Sequence, residues 1–297
     1  MSELIIFHAG SLSEPLRQLA QYFEKQHPGV SIHMEGSGAR QAVRKVTDQG
    51  RLCDIVASAD YQVIENLMKP DYARFNILFA GNQLVLSFTD KSKFAGEINQ
   101  DNWFEILLRE GVVYGHTDPE LDPAGYRARL CWQLAERHYK VAGLYQQLLS
   151  KITTTNILTD RETIRAMLMA GELDYFFGYE STARQNGYQF VSLPTAINFS
   201  SAEYKDNYQQ AEIQLSGKKT GTWMTVKGEP IMYGITLVEG APNQELALAF
   251  LEFLLASGAP CLKKAGLIYF PPKVLASDFT CLPDRLRRFF PNECSLR

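Results

Sequence analysis

The stretch Leu4-Ile-Ile-Phe-His8-Ala-Gly-Ser-Leu12-Ser-Glu-Pro-Leu-Arg-Gln-Leu-Ala20-Gln-Tyr-Phe23 joins a short apolar run to an amphipathic helical pattern through a Gly-Ser turn. Leu12, Leu16, Leu19, Ala20 and Phe23 recur at helical spacing, and Leu4 to Phe7 has the length of a buried strand. A strand that runs straight into a helix is half of a β-α-β unit, and the first turn of the helix carries backbone N–H groups that it cannot satisfy itself. Ser11 reads as the N-cap, with Glu14 completing an S-x-x-E capping box. The same turn, with Gly10, is also a seat for an anion.

Outward from that stretch, strand-like runs alternate with helical patterns. The strands fall at 4–7, 30–34, 54–57, 84–88, 112–115, 174–177 and 190–193, and the helices at 12–26, 40–49, 61–68, 103–109, 126–138 and 163–170. This order predicts an α/β fold with parallel or mixed sheets flanked by helices. Residues 198–228 read as irregular chain with a hairpin. A return strand follows over 230–237, then a helix over 245–257 that buries Leu246, Ala249, Phe250, Phe253 and Leu254. The segments 79–84 and 231–236 read as two places where the chain leaves one lobe and returns, although a single large sheet gives the same alternation.

The chain has 297 residues, 45% hydrophobic and 21% charged, with a formal net charge of -3, so it offers no basic field for nucleic acid or an anionic membrane. No apolar run approaches the ~20 residues of a membrane span. Met1-Ser2-Glu3 leads directly into a strand with no signal-like segment, so a leader is expected to have been removed if the protein works outside the cytoplasm. The five cysteines are scattered without zinc spacing. Cys261, Cys281 and Cys294 lie close enough in sequence for one disulfide, and five unpaired thiols is the other reading.

Small oxygen-bearing residues stand at strand ends just before helices: Ser11 after the first strand, Ser37 and Gly38 after the second, and Ser58-Ala59-Asp60 after the third. In open α/β sheets ligands bind beyond the carboxyl ends of strands, where helix N-termini point N–H donors at them. Such turns hold an oxyanion with neutral donors. Two later loops repeat the theme. Asp122-Pro-Ala-Gly125-Tyr126 opens a helix, with Asp122 as cap or ligand, and Gly178-Tyr179-Glu180-Ser181 follows a buried strand. The five histidines have no metal-ligand spacing, and no nucleophile elbow or phosphate-loop motif occurs, so catalytic machinery is absent from the pattern.

In order along the chain, HAGSLSEPL, EGSGARQAVRKV, DIVASADYQVIENLM, FAGNQLVLSFT, NWFEIL, DPAGYRARL, DYFFGYESTARQNG and PIMYGITL resemble the molybdate/tungstate-binding proteins of the WtpA type, a ModA-like branch of ABC-transporter substrate-binding proteins. The resemblance spans about residues 4–270. It implies a two-lobed type II periplasmic-binding-protein fold with two crossover strands, a discontinuous first lobe (1–81 and 235–297), a second lobe (82–234) and an oxyanion in the cleft between them. It implies ligand contacts from Gly10, Ser11, Ser37, Gly38, Ser58, Asp122, Tyr126, Tyr179 and Glu180. It further implies a monomeric, extracytoplasmic, non-enzymatic receptor, periplasmic or membrane-anchored, that needs no cofactor and hands molybdate or tungstate to an ABC permease.

Two positions depart from the family pattern. The family serine of the second turn falls on Ala39, leaving Ser37 as a displaced donor, and the family glutamate before the tyrosine of the fourth loop falls on Gly178. In relatives with six-fold coordination two carboxylates reach the metal; here that would require Asp122 and Glu180. A carboxylate beside a dianion is otherwise repelled, so the expectation is a tetrahedrally held oxyanion. A sulfate-like ligand and a cytosolic oxyanion sensor are the alternatives.

Overall fold

The computed structural model describes residues 2–276 and 279–291. Along the chain the strands are β1 (Ser2–Ala9), β2 (Val30–Ser37), β3 (Ile55–Ser58), β4 (Phe75–Gly81), β5 (Leu84–Phe88), β6 (Tyr114–Thr117), β7 (Ile157–Leu158), β8 (Tyr175–Tyr179), β9 (Gln189–Ser192), β10 (Glu212–Ser216), β11 (Trp223–Lys227), β12 (Met232–Leu237) and β13 (Lys273–Ala276). The helices are α1 (Ser13–Gln26), α2 (Ala39–Thr47), α3 (Tyr61–Leu67), α4 (Trp103–Leu108), α5 (Pro123–His138), α6 (Leu144–Ser150), α7 (Arg161–Ala170), α8 (Glu180–Asn186), α9 (Lys205–Tyr208), α10 (Gln244–Ser257), α11 (Ala259–Lys264) and α12 (Asp284–Arg287). The chain divides into two compact units, 1–81 with 232–297, and 82–231.

The first unit is built on a six-stranded sheet in the order β13-β4-β12-β3-β1-β2. β1 runs parallel to β2 from Ser2 opposite Val30 to Ala9 opposite Ser37, and parallel to β3 from Ile6 opposite Ile55 to His8 opposite Ala57. β12 is antiparallel to both β3 and β4, so the sheet is mixed. Helix α1 buries Leu16, Leu19, Ala20 and Phe23, the apolar stripe its spacing dictates, each large side chain contributing on the order of 1.5–3 kcal/mol. The second unit has a five-stranded sheet, β7-β6-β8-β5-β9, with β6 parallel to β7 and β8, and β5 antiparallel to β8 and β9. The hairpin expected in 198–228 is β10 and β11, antiparallel from Glu212 opposite Lys227 to Ser216 opposite Trp223.

Several expectations are corrected. Residues 75–81 form a wholly buried strand, where only a connection from Phe79 onward was read; only Asn82 and Gln83 separate it from β5. Helix α10 buries Ala247, Leu248, Phe250, Leu251 and Leu254, a face rotated from the expected one. The capping box is not formed. Gly10–Leu12 is a 3-10 turn, α1 starts at Ser13 with Leu12 in the cap position, and no side chain caps it. Glu14 instead accepts from Arg17 and Gln18 of its own helix. Cys53, Cys131 and Cys261 are free, buried thiols, so Cys261 is not half of a disulfide; Cys294 lies outside the described residues.

Candidate functional site

In the first unit, the parallel order β2-β1-β3 brings the carboxyl ends of three neighbouring strands to one edge of the sheet, and Ser37, Ser11 and Ser58 sit at or just past them. Ser11 is buried, and its hydroxyl lies 2.8 Å from the Tyr233 hydroxyl of β12. The hydroxyl of Ser13, two residues on, donates to the Gly10 carbonyl at 2.8 Å. Neither serine caps the backbone, so α1 begins without a side-chain acceptor on its first N–H groups. The second turn packs hard against the first. A Cβ on Gly36 would stand 2.9 Å from His8 Cε1 and 3.2 Å from Ser13 Oγ, so any other residue would have to push the buried His8 ring aside.

Gly38 is the cap residue of α2, again with no side-chain cap, and Ala39, on which the family serine falls, is buried in the first turn. Ser37 Oγ accepts from Lys45 Nζ at 3.1 Å and donates to the Gly38 carbonyl over a long 3.4 Å. Ser58 differs from the other two. Its hydroxyl donates to the Asp60 carbonyl at 2.6 Å and accepts from Asp60 N at 3.2 Å, while Asp60 Oδ1 accepts from Gln62 N at 2.9 Å to cap α3. Its hydrogen is committed within the turn, so Ser58 shapes the loop.

In the second unit, β6 and β8 are parallel neighbours, Tyr114 opposite Tyr175 and His116 opposite Phe177, so the loops that follow them lie at one edge of that sheet. The first holds Asp122, whose Oδ1 accepts from Ala124 N at 2.8 Å as the cap of α5. Burial raises its pKa, against the opposing backbone hydrogen bond from Ala124. Tyr126 is buried one turn into the helix. A Cβ on Gly125 would fall 2.1 Å from the Thr117 carbonyl oxygen, so glycine lets α5 start flush against the end of β6. His116 anchors that strand end. Its Nδ1–H donates to the Thr117 carbonyl at 2.6 Å, its Nε2 lies 3.5 Å from Arg129 Nε, and burial lowers its pKa to about 4, keeping it neutral.

The second loop carries Tyr179, buried in the cap position of α8, and Glu180 in its first turn. Both oxygens of Glu180 are engaged, Oε1 by Arg184 at 2.5 Å and Oε2 by the Gln83 side-chain amide. A cation from its own helix and an amide therefore hold the carboxylate that six-fold coordination would require. Gly178, the other candidate position for a second carboxylate, is not sterically closed: an added Cβ would meet only the Phe176 ring, at 3.5 Å. Among the described residues no group of three or more His, Cys, Asp or Glu is arranged to hold a metal ion.

Four residues escaped the sequence reading. Tyr233 reaches Ser11 across 222 positions. Lys45, nearly buried, backs Ser37. Arg127 is buried, donates to the Glu229 carbonyl at 3.1 Å and lies 5.9 Å from the Tyr126 and Phe199 ring centroids. Asn82, also buried, donates to Ser181 Oγ at 2.7 Å and fixes the fourth loop. Only Lys45 left a local signal, a cation on the apolar face of a helix; the others depend on contacts remote in sequence.

The sequence profile of the family described as bacterial extracellular solute-binding protein matches residues 4–268. An uncharacterized solute-binding protein of Petrotoga mobilis is 47% identical over 253 residues, 85% of this chain and 79% of its own length. The molybdate/tungstate-binding protein WtpA of Pyrococcus abyssi is 42% identical over 282 residues, 86% of this chain and 80% of its own length. Among solved structures, the periplasmic molybdate-binding protein of Azotobacter vinelandii superposes with a TM-score of 0.64 at 17% identity, covering 90% of this chain and 99% of that one. That likeness is of fold.

Proposed function

The chain belongs to the bacterial extracellular solute-binding protein family, and from that premise we propose that it captures a tetrahedral oxyanion, molybdate or tungstate, outside the cytoplasm and delivers it unchanged to an ABC-transporter permease. The observation that carries the reading is the alignment of three parallel strand ends in the first unit, which gathers the Ser11 turn and the uncapped starts of α1 and α2 at one sheet edge. Uncapped N–H groups and hydroxyls are donors without net charge, suited to an anion whose four oxygens each accept hydrogen bonds. The second unit offers the Asp122–Tyr126 helix start and Tyr179 at adjacent strand ends. The resemblance to an archaeal protein named for molybdate and tungstate supports the choice of ion.

Capture is driven by differential affinity: the ion favours whichever conformation of the receptor makes the more hydrogen bonds to it. The ion is held as a tetrahedral dianion by hydrogen bonds. Glu180 is bound to Arg184 and Gln83, and Gly178 brings no carboxylate. Asp122 is engaged as the cap of α5 and has no second carboxylate beside it with which to complete a metal's coordination. No nucleophile or base is required, because the protein performs no reaction. It acts as a monomer, and no resident cofactor is involved.

Titration calorimetry of the ligand-stripped protein with molybdate, tungstate, sulfate and phosphate tests this. One site for molybdate and tungstate, each tighter than sulfate, is the expected result; no binding of any of the four overturns it. Thermal unfolding should agree, since a ligand at ~100 times its Kd adds about 2.7 kcal/mol of stability.

A further inference from the structure

Behind the Ser37 turn lies a charge triad of Lys45, Glu35 and Arg51. Lys45 projects from α2 with its side chain 9% exposed, and its Nζ donates to Glu35 Oε1 at 2.6 Å and to Ser37 Oγ at 3.1 Å. Arg51 grips the same carboxylate, Nη1 to Oε1 at 3.0 Å and Nη2 to Oε2 at 2.6 Å. Both cations lie over the Phe7 ring, at 5.6 and 4.8 Å from its centroid. Hydrogen bonds from Arg51 first and then Lys45 bring the Glu35 pKa to about 2, so the carboxylate stays ionised at any working pH. Two cations share one anion, and the triad keeps one net positive charge.

The ammonium end of Lys45 is the part of that charge nearest the turn. A hydroxyl oxygen that accepts from a cation is polarised and becomes a stronger donor. Accepting from Lys45 also occupies one lone pair of Ser37, and the Gly38 carbonyl, 3.4 Å away, is at the far limit for the hydroxyl hydrogen. That hydrogen is held only by this weak bond, which a charged outside acceptor can displace. A nearly buried lysine is expensive to desolvate unless its charge is matched, and here it shares its one carboxylate with a second cation.

We infer that Lys45 is a positioning residue for the oxyanion, turning the Ser37 hydroxyl outward and placing a buried positive charge behind an otherwise neutral set of donors. The inference rests on reading the Ser37 turn as part of the oxyanion site. It also explains how Ser37 serves from a position two residues away from Ala39: the displaced hydroxyl is held by a cation.

A triad that merely pinned α2 to β2 would weaken binding whichever partner were removed; a triad that supplies charge gives opposite signs. Molybdate affinity is measured calorimetrically at about 0.02 M and 0.5 M salt. Lys45→Met is expected to weaken binding about tenfold at low salt, and Lys45→Arg to keep it within about threefold. Glu35→Gln, which raises the net charge, is expected to tighten binding about threefold at low salt, the gain fading at high salt. Glu35→Gln weakening binding, or Lys45→Met binding as the unaltered protein does, overturns the inference. Should Lys45→Met not fold, Glu35→Gln decides together with Arg51→Gln, which removes a cation that does not touch Ser37 and is expected to weaken binding about threefold. Failure of the unaltered protein to bind any oxyanion strikes at the function itself, and this inference falls with it.

Discussion

A hydroxyl serves an anion only if its hydrogen is not already given to a neighbour, and by that rule the three serines of the first unit are not equal. Ser58 has given its hydrogen to the Asp60 carbonyl. Ser11 faces another hydroxyl, that of Tyr233, and when the tyrosine donates, the serine hydrogen is left for a ligand. Replacing Ser11 with Ala should therefore weaken molybdate binding about tenfold, in keeping with the ~1–3 kcal/mol of a buried acceptor left unpaired, while Ser58→Ala should act mainly on stability; calorimetry and thermal unfolding of both variants separate the two. Gly178→Glu probes the second unit. The site has room for a side chain, and a carboxylate there should weaken binding of a tetrahedrally held dianion at least tenfold; tighter molybdate binding in calorimetry would instead signal metal coordination. The Ser11 turn was legible because its strand, glycine and helix are contiguous. Its capping role was misread because the partner that takes the hydroxyl lies on β12, far along the chain.

Among the elements, α5 carries the clearest conflict between propensity and packing. Alanine is preferred to glycine inside a helix by about 1 kcal/mol, so propensity alone makes Gly125→Ala stabilising. A Cβ 2.1 Å from the Thr117 oxygen reverses the sign. The variant should lose ~1–3 kcal/mol in urea unfolding, and its molybdate affinity should fall because α5 no longer starts against β6. The same contrast explains which elements could be read. Helix α1 has one apolar face and polar residues opposite, and apart from Pro15 in its first turn its buried side chains are those its spacing names. Helix α10, Gln-Glu-Leu-Ala-Leu-Ala-Phe-Leu-Glu-Phe-Leu-Leu-Ala-Ser, offers two overlapping apolar stripes, and only packing selects between them. Strand β4 is buried on both faces, so it lacks alternation and reads as an undifferentiated apolar run.

For the molecule as a whole, stability is tied to pH through groups that folding keeps from taking up protons. His116 has its pKa lowered from 6.5 to about 4 by burial. Between those values the unfolded chain binds a proton that the folded one does not, so this contribution is complete above pH 6.5 and is lost as pH falls toward 4, ~3 kcal/mol at most. Glu35, lowered from 4.5 to about 2, has the same sign over a more acid window. Unfolding midpoints should fall below pH 6.5, and His116→Asn should flatten that upper part of the profile. The alternation of strands and helices made the α/β class readable at this scale. Strand order was not, since β12 enters the first sheet between β3 and β4 after an excursion through all of residues 82–231.

That excursion sets an order of events during synthesis. The second unit is contiguous and can complete its fold from its own residues, whereas the first must wait for a strand that closes the gap between β3 and β4. Until then Ser11 lacks the tyrosine that faces it. The Ser11 turn is thus completed only after the whole of residues 82–231 has been made.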